Sequence, residues 1–156
     1  MYLKDEDKQL IIKILTDTIP ELQALYLFGS QNDGTATSIS DVDVAYLSKV
    51  PLSSLERWDV SQKLASVLSV DVDLVELSST NTIFRYQILS TSERIYGEGY
   101  DVESFETLAY SFYLRFQEER KPIVDSICHD IKVLGDSKTM YKWKLDYEKF
   151  KYVLCD

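Results

Sequence analysis

Gly29 and Ser30 are followed by ten residues and then by Asp41-Val42-Asp43. The Gly-Ser closes an apolar run, Leu25-Tyr26-Leu27-Phe28, and the aspartates open another, Val44-Ala45-Tyr46-Leu47. A strand, a glycine turn, a loop and a strand carrying paired carboxylates leave a chain few ways to fold. Glycine lets the backbone come close to phosphate oxygens, and exposed N–H groups and a hydroxyl donate to them. Asp41 and Asp43 are two apart on a strand, so both are expected on one face. Carboxylates so placed repel each other unless a cation sits between them. Hard oxygen donors of this kind suit Mg²⁺, which is usually shared with substrate phosphates.

A third carboxylate follows. Val70–Leu77 reads as a strand bounded by serines. Asp71 and Asp73 fall on one of its faces; Val72, Leu74 and Glu76 fall on the other, which turns Glu76 away from the metals. With this strand beside the one carrying Asp41 and Asp43, three carboxylates can bridge two metal ions about 3.5–4 Å apart.

These residues resemble the minimal nucleotidyltransferase (MNT) family, the smallest branch of the DNA polymerase beta-like superfamily. The resemblance runs from about Leu22 to about Leu134. The Gly-Ser, the ten-residue gap and the Asp-X-Asp match without a break, as do Gly34-Thr35 and Ser40. The family's third aspartate opens an Asp-Leu-Val segment, which points to Asp73 rather than Asp71. Two positions depart from the pattern: Gln31 and Asp33 stand where many relatives carry an aromatic and a basic residue.

The resemblance implies an α/β nucleotidyltransferase fold, with a short mixed sheet flanked by helices and a C-terminal helical segment. It implies that Asp41, Asp43 and Asp73 are catalytic and hold two Mg²⁺ ions, with Asp73 helping to take the nucleophile's proton. Gly29 and Ser30 are then the contacts to the β- and γ-phosphates of ATP. Small MNT proteins resemble the antitoxin half of HEPN/MNT toxin–antitoxin pairs, in which the antitoxin adenylylates a tyrosine of its HEPN ribonuclease partner. Two other readings stay open: a small-molecule adenylyltransferase of the aminoglycoside type, and an antitoxin acting by binding alone.

Composition narrows the partners. The net charge of −9 and the lack of a basic face before residue 138 argue against direct nucleic-acid binding. They are compatible with a basic protein or a metal-bound nucleotide. No apolar run approaches the length of a membrane span, and the first residues lack a signal pattern, so a cytoplasmic protein with no membrane partner is expected. Cys128 and Cys155 have no metal spacing and read as free thiols, and His129, the sole histidine, as structural or exposed. Arg85 and Arg94 are within conceivable reach of nucleotide phosphates, although surface roles suit each better.

Along the chain, Asp5–Thr18 reads as a helix with Leu10, Ile11, Ile14 and Leu15 as its stripe. Strands follow at Ala24–Phe28 and Val42–Leu47. Ser53 and Glu56 form a capping box opening a helix to about Leu68, with Leu55, Trp58, Leu64 and Leu68 facing inward. A short helix is expected over Asn81–Leu89 and a short strand over Arg94–Tyr96. A long helical pattern runs over 103–134, with Pro122 expected to kink or split it, and with Tyr110, Phe112, Tyr113 and Phe116 more suited to a core than to a partner surface. Residues 1–135 are read as one domain. The tail 136–156 fits a strand or a helix equally, and is either a natural extension or an appended sequence.

Overall fold

A computed structural model describes residues 3–29 and 41–133, with side chains described as far as Ile127. Ser30, the loop matches at Gly34, Thr35 and Ser40, the departures at Gln31 and Asp33, and the tail lie outside the described residues, as do the side chains of Cys128 and His129. The elements are α1 (Asp5–Thr18), β1 (Leu22–Phe28), β2 (Val42–Ser48), α2 (Ser54–Leu68), β3 (Val72–Glu76), α3 (Thr82–Thr91), β4 (Glu93–Tyr96) and α4 (Tyr100–Val133). The chain divides into two units, residues 1–110 and 111–156.

The first unit is built on a mixed four-stranded sheet in the order β3-β2-β1-β4. β1 runs antiparallel to β2 and to β4, whereas β2 and β3 are parallel. The two central strands are apolar on both faces because both faces are covered. On one side Leu25, Leu27, Val44 and Tyr46 pack with Ile11 and Leu15 of α1 and with Val60 and Leu64 of α2. On the other, Tyr26, Phe28, Ala45 and Leu47 pack with Ile88 of α3 and Val102 of α4.

The parallel pair needs a crossover, and α2 supplies it. Ser53 caps that helix: its hydroxyl accepts the Glu56 N–H at 3.2 Å, and the Glu56 carboxylate accepts the Ser53 N–H at 2.8 Å. The Ser53 hydroxyl also donates to that carboxylate at 2.7 Å, and this bond first, then the one from the Ser53 N–H, holds the Glu56 carboxyl below its ordinary pKa. Ser69 closes the helix in the left-handed region at φ 58°.

Four expectations need correction. Leu55 and Trp58 are 69% and 58% exposed; Val60, Leu64 and Leu68 form the inner face of α2 instead. The third strand is shorter than Val70–Leu77, because Ser69 and Val70 are spent on turning out of α2, and Leu77 begins a single 3₁₀ turn, Leu77–Ser79. Pro122 does not split α4, which is continuous through it. Within the second unit, Phe112 is exposed rather than core, while Arg120 lies 4.8 Å from the Phe116 ring centroid and Arg115 pairs with Glu119 at 2.9 Å.

Candidate active site

The sheet register pairs two of the candidate site residues, Asp43 and Asp73. Phe28 sits opposite Asp43 on the antiparallel pair, and Asp43 sits opposite Asp73 on the parallel pair. Directly opposed residues share a face, so Asp43 and Asp73 come side by side at one end of the sheet, and Gly29, the residue after β1, stands against the Asp43 carboxylate. Asp41 is exposed and precedes β2 by one residue. Asp71 is exposed and lies outside β3, with its carbonyl accepting the Val42 N–H at 2.9 Å. The parallel pair is thereby sealed by the backbone of Asp71, not by its side chain.

Gly29 is fixed by two independent constraints. Its φ is +70°, where an L side chain is strained. A Cβ built there would overlap the Asp43 Oδ2 and stand 3.0 Å from its Cγ. The glycine therefore leaves room for the carboxylate itself. The sequence shows a phosphate-turn glycine; this contact depends on strand register and has no local signature.

Asp43 is half-buried, and its pKa is raised above the ordinary carboxylate value. Burial is the largest cause, followed by the negative charges of Asp73 and then Asp41. A group penalised by its like-charged neighbours suits a cation, and three hard oxygen donors suit Mg²⁺ better than a softer metal. Among the described residues, no three carboxylates, imidazoles or thiols already stand together as a metal cage.

The rest of the face is structural. Asn81 caps α3 by accepting the Phe84 N–H at 2.9 Å, and Phe84 packs edge-on against Phe28 with centroids 6.2 Å apart. Arg85 donates to the carbonyls of Leu77, Ser78 and Thr80 at 2.8–3.0 Å and lies over Phe105. Arg94 pairs with Glu106 at 3.1 Å, and Tyr26 donates to the same carboxylate at 2.7 Å. Both arginines are thus committed within the fold. Glu76 lies on the opposite face, 5% exposed, 3.9 Å from Arg57 and accepting from the Ser78 hydroxyl at 2.9 Å. Neighbouring Tyr46 is pushed up to about 12, first by burial and then by the Glu76 charge.

The family description "polymerase beta, nucleotidyltransferase" matches residues 9–100, which hold every strand of the sheet. The chain belongs to the polymerase beta nucleotidyltransferase family. Within this nucleotidyltransferase family it is 43% identical to the protein adenylyltransferase MntA of Shewanella oneidensis, over 75% of this chain and 84% of that protein. It is also similar to a solved toxin–antitoxin chain with AMP-PNP, at 42% identity and a TM-score of 0.71, covering 80% of this chain and 99% of that one. A third match is to a solved complex of the tri-AMPylated Shewanella oneidensis HEPN toxin with MNT antitoxin. There identity is 38% and the TM-score 0.68, with 81% of this chain and 99% of that one covered. No described helix is long and apolar enough to cross a membrane.

Proposed function

We propose that this protein is the antitoxin of a HEPN/MNT pair, and that it silences its partner by moving AMP from ATP onto a tyrosine of the toxin. The observation that carries this is the pairing of Asp43 with Asp73, with Gly29 against the Asp43 carboxylate, in a chain 43% identical to a named protein adenylyltransferase. Likeness to chains solved with AMP-PNP and with an AMPylated HEPN toxin supports both the donor and the acceptor. Net charge of −9 suits a partner whose RNA-binding face is basic. We place the reaction in the cytoplasm.

Asp41, Asp43 and Asp73 are the residues that would hold Mg²⁺. Bound there, Mg²⁺ offsets the charge of the triphosphate and of the carboxylates themselves. Gly29 and Ser30 would hold the β- and γ-phosphates. The tyrosine oxygen attacks the α-phosphorus, a phosphorus–oxygen bond forms, and the bond to pyrophosphate breaks. The phenolic proton passes to the Asp73 carboxylate, which is exposed and can release it to water. Most of the rate comes from positioning and charge neutralisation.

Catalytic amounts of this protein with ATP and Mg²⁺ should silence an excess of the cognate toxin, and intact mass should show steps of one AMP. Calorimetry should show ATP binding that is lost in EDTA. Silencing that requires equal amounts and survives Asp43→Asn would replace transfer with inhibition by binding alone.

A further inference from the structure

Phe84 serves the fold with only part of its ring. It stands in the first turn of α3 and meets Phe28 edge-on, with ring centroids 6.2 Å apart and planes at 79°. An edge-to-face contact covers at most one face of either ring. Phe28 is buried, whereas Phe84 is 37% exposed, so the ring surface left over by this pair belongs to Phe84.

Its place in the sheet gives that surface a use. Phe28 ends β1 and directly opposes Asp43, so their side chains share a face. Ile88, one turn along α3 from Phe84, packs in the same layer as Phe28 and Ala45. Phe84 is therefore an exposed aromatic on the carboxylate face, at the carboxylate end. One cross-strand step of about 5 Å and one ring contact lie between it and Asp43. A ribose joining an α-phosphate to its base spans such a gap. The backbone beneath the ring is fixed: Asn81 accepts the Phe84 N–H at 2.9 Å, and Arg85 donates to the carbonyls of Leu77, Ser78 and Thr80 at 2.8–3.0 Å. A ring already held loses little freedom when a ligand covers it.

We propose that Phe84 is the platform on which the base of the nucleotide stacks. The inference deepens the function proposed above and rests on its assignment of ATP as the donor. Strand order decides between donor and acceptor. Asp73 lies on β3 and Phe28 on β1, with Asp43 on β2 between them. In the proposed reaction the acceptor oxygen comes to Asp73, and the phosphates sit at Gly29, the residue after Phe28. Phe84 is thus on the donor's side. Stacking needs only a π-face, so the ring takes any base, with a modest preference that follows stacking strength and favours a purine over a pyrimidine.

Phe84→Leu tests this, because leucine keeps an apolar contact with Phe28 and removes the π-face; its fold is checked by circular dichroism. Calorimetry without toxin compares ATP with inorganic triphosphate, which has no base, both with Mg²⁺. Phe84→Leu should weaken ATP binding about tenfold and leave triphosphate binding unchanged. Phe84→Tyr restores a ring and should recover most of the loss. Equal losses for ATP and triphosphate would overturn the platform, since a shifted α3 or β1 disturbs the phosphates as well. Unchanged ATP binding with a raised KM for toxin would also overturn it and give the ring to the acceptor. A parent that binds neither ATP nor triphosphate would remove the platform and the donor together. ATP binding that falls as expected while the parent modifies no toxin would leave the platform standing and remove the transferase reading.

Discussion

Replacing Gly29 by alanine adds one methyl group and should disable the site through Asp43. The residue lies at φ +70°, and an alanine in the left-handed region costs about 1–2 kcal/mol. The new Cβ would also overlap the Asp43 Oδ2. Asp43 is pinned at Cα by its pairing with Phe28 and Asp73, so the carboxylate must rotate away or β1 must shift. Overpacking of this kind costs about 1–3 kcal/mol more, giving a total near 2–5 kcal/mol. A loss of about 2 kcal/mol lowers the melting temperature by about 4–8 °C in a chain of this size. A double-mutant cycle in urea separates the parts, because Asp43→Ala removes the atoms that the methyl meets. Gly29→Ala should be milder in that background by about 1–3 kcal/mol. In the parent background AMP transfer should fall at least tenfold. Equal destabilisation in both backgrounds would refute the contact, and full activity of Gly29→Ala would refute the role given to that carboxylate.

Three further outcomes follow from the same geometry. Asp43 has its pKa raised by folding, so between its ordinary value and the raised one the folded chain holds more protons than the unfolded chain. Metal-free stability therefore falls as pH climbs through that window; Asp43→Asn should lose this slope and melt at least as high as the parent at neutral pH, in a series of thermal melts without Mg²⁺. Asp73→Ala should lower turnover at least tenfold more than Asp71→Ala, about 1.4 kcal/mol of transition-state stabilisation, because only Asp73 is opposite Asp43; steady-state kinetics on both variants decide it. Arg57→Ala leaves the buried Glu76 without its cation and should cost about 2 kcal/mol or more in urea unfolding, most of it recovered by adding Glu76→Gln.

Local signals were the most readable part of this chain. Acidic residues in the first turn and the apolar stripe of α1 give Asp5–Thr18, the bounds observed. The Ser53–Glu56 capping box starts α2 where its hydrogen bonds do. The Asp-X-Asp that ends at Asp43 and the Asp-Leu-Val at Asp73 point to two residues that the register pairs, while Asp41 precedes β2 and Ser30 lies outside the described residues. What failed was one helix face and the non-local contacts. Val60, Leu64 and Leu68 recur at four-residue spacing and form the buried line of α2, whereas Leu55 and Trp58 fall off that line around the helix, so the expected inner face was misplaced. Residues two apart on a helix point to nearly opposite sides, so Val60 is buried and Trp58 is not. The contact of Gly29 with Asp43 and the packing of Phe84 on Phe28 join residues distant in sequence, with nothing local to announce them.

β1 and β2 are antiparallel neighbours in sequence, whereas Asp73 reaches Asp43 only after the fifteen residues of α2 have crossed the sheet. The parallel ladder is a long-range pairing, and such pairings close late. While the chain is still being made, Asp41 and Asp43 can be in place with the third carboxylate absent. Completion of the crossover is then a checkpoint: a truncated or half-folded chain has its pair of aspartates but not the trio. For a protein whose proposed work is to modify its own partner, that order ties the onset of chemistry to the finished fold.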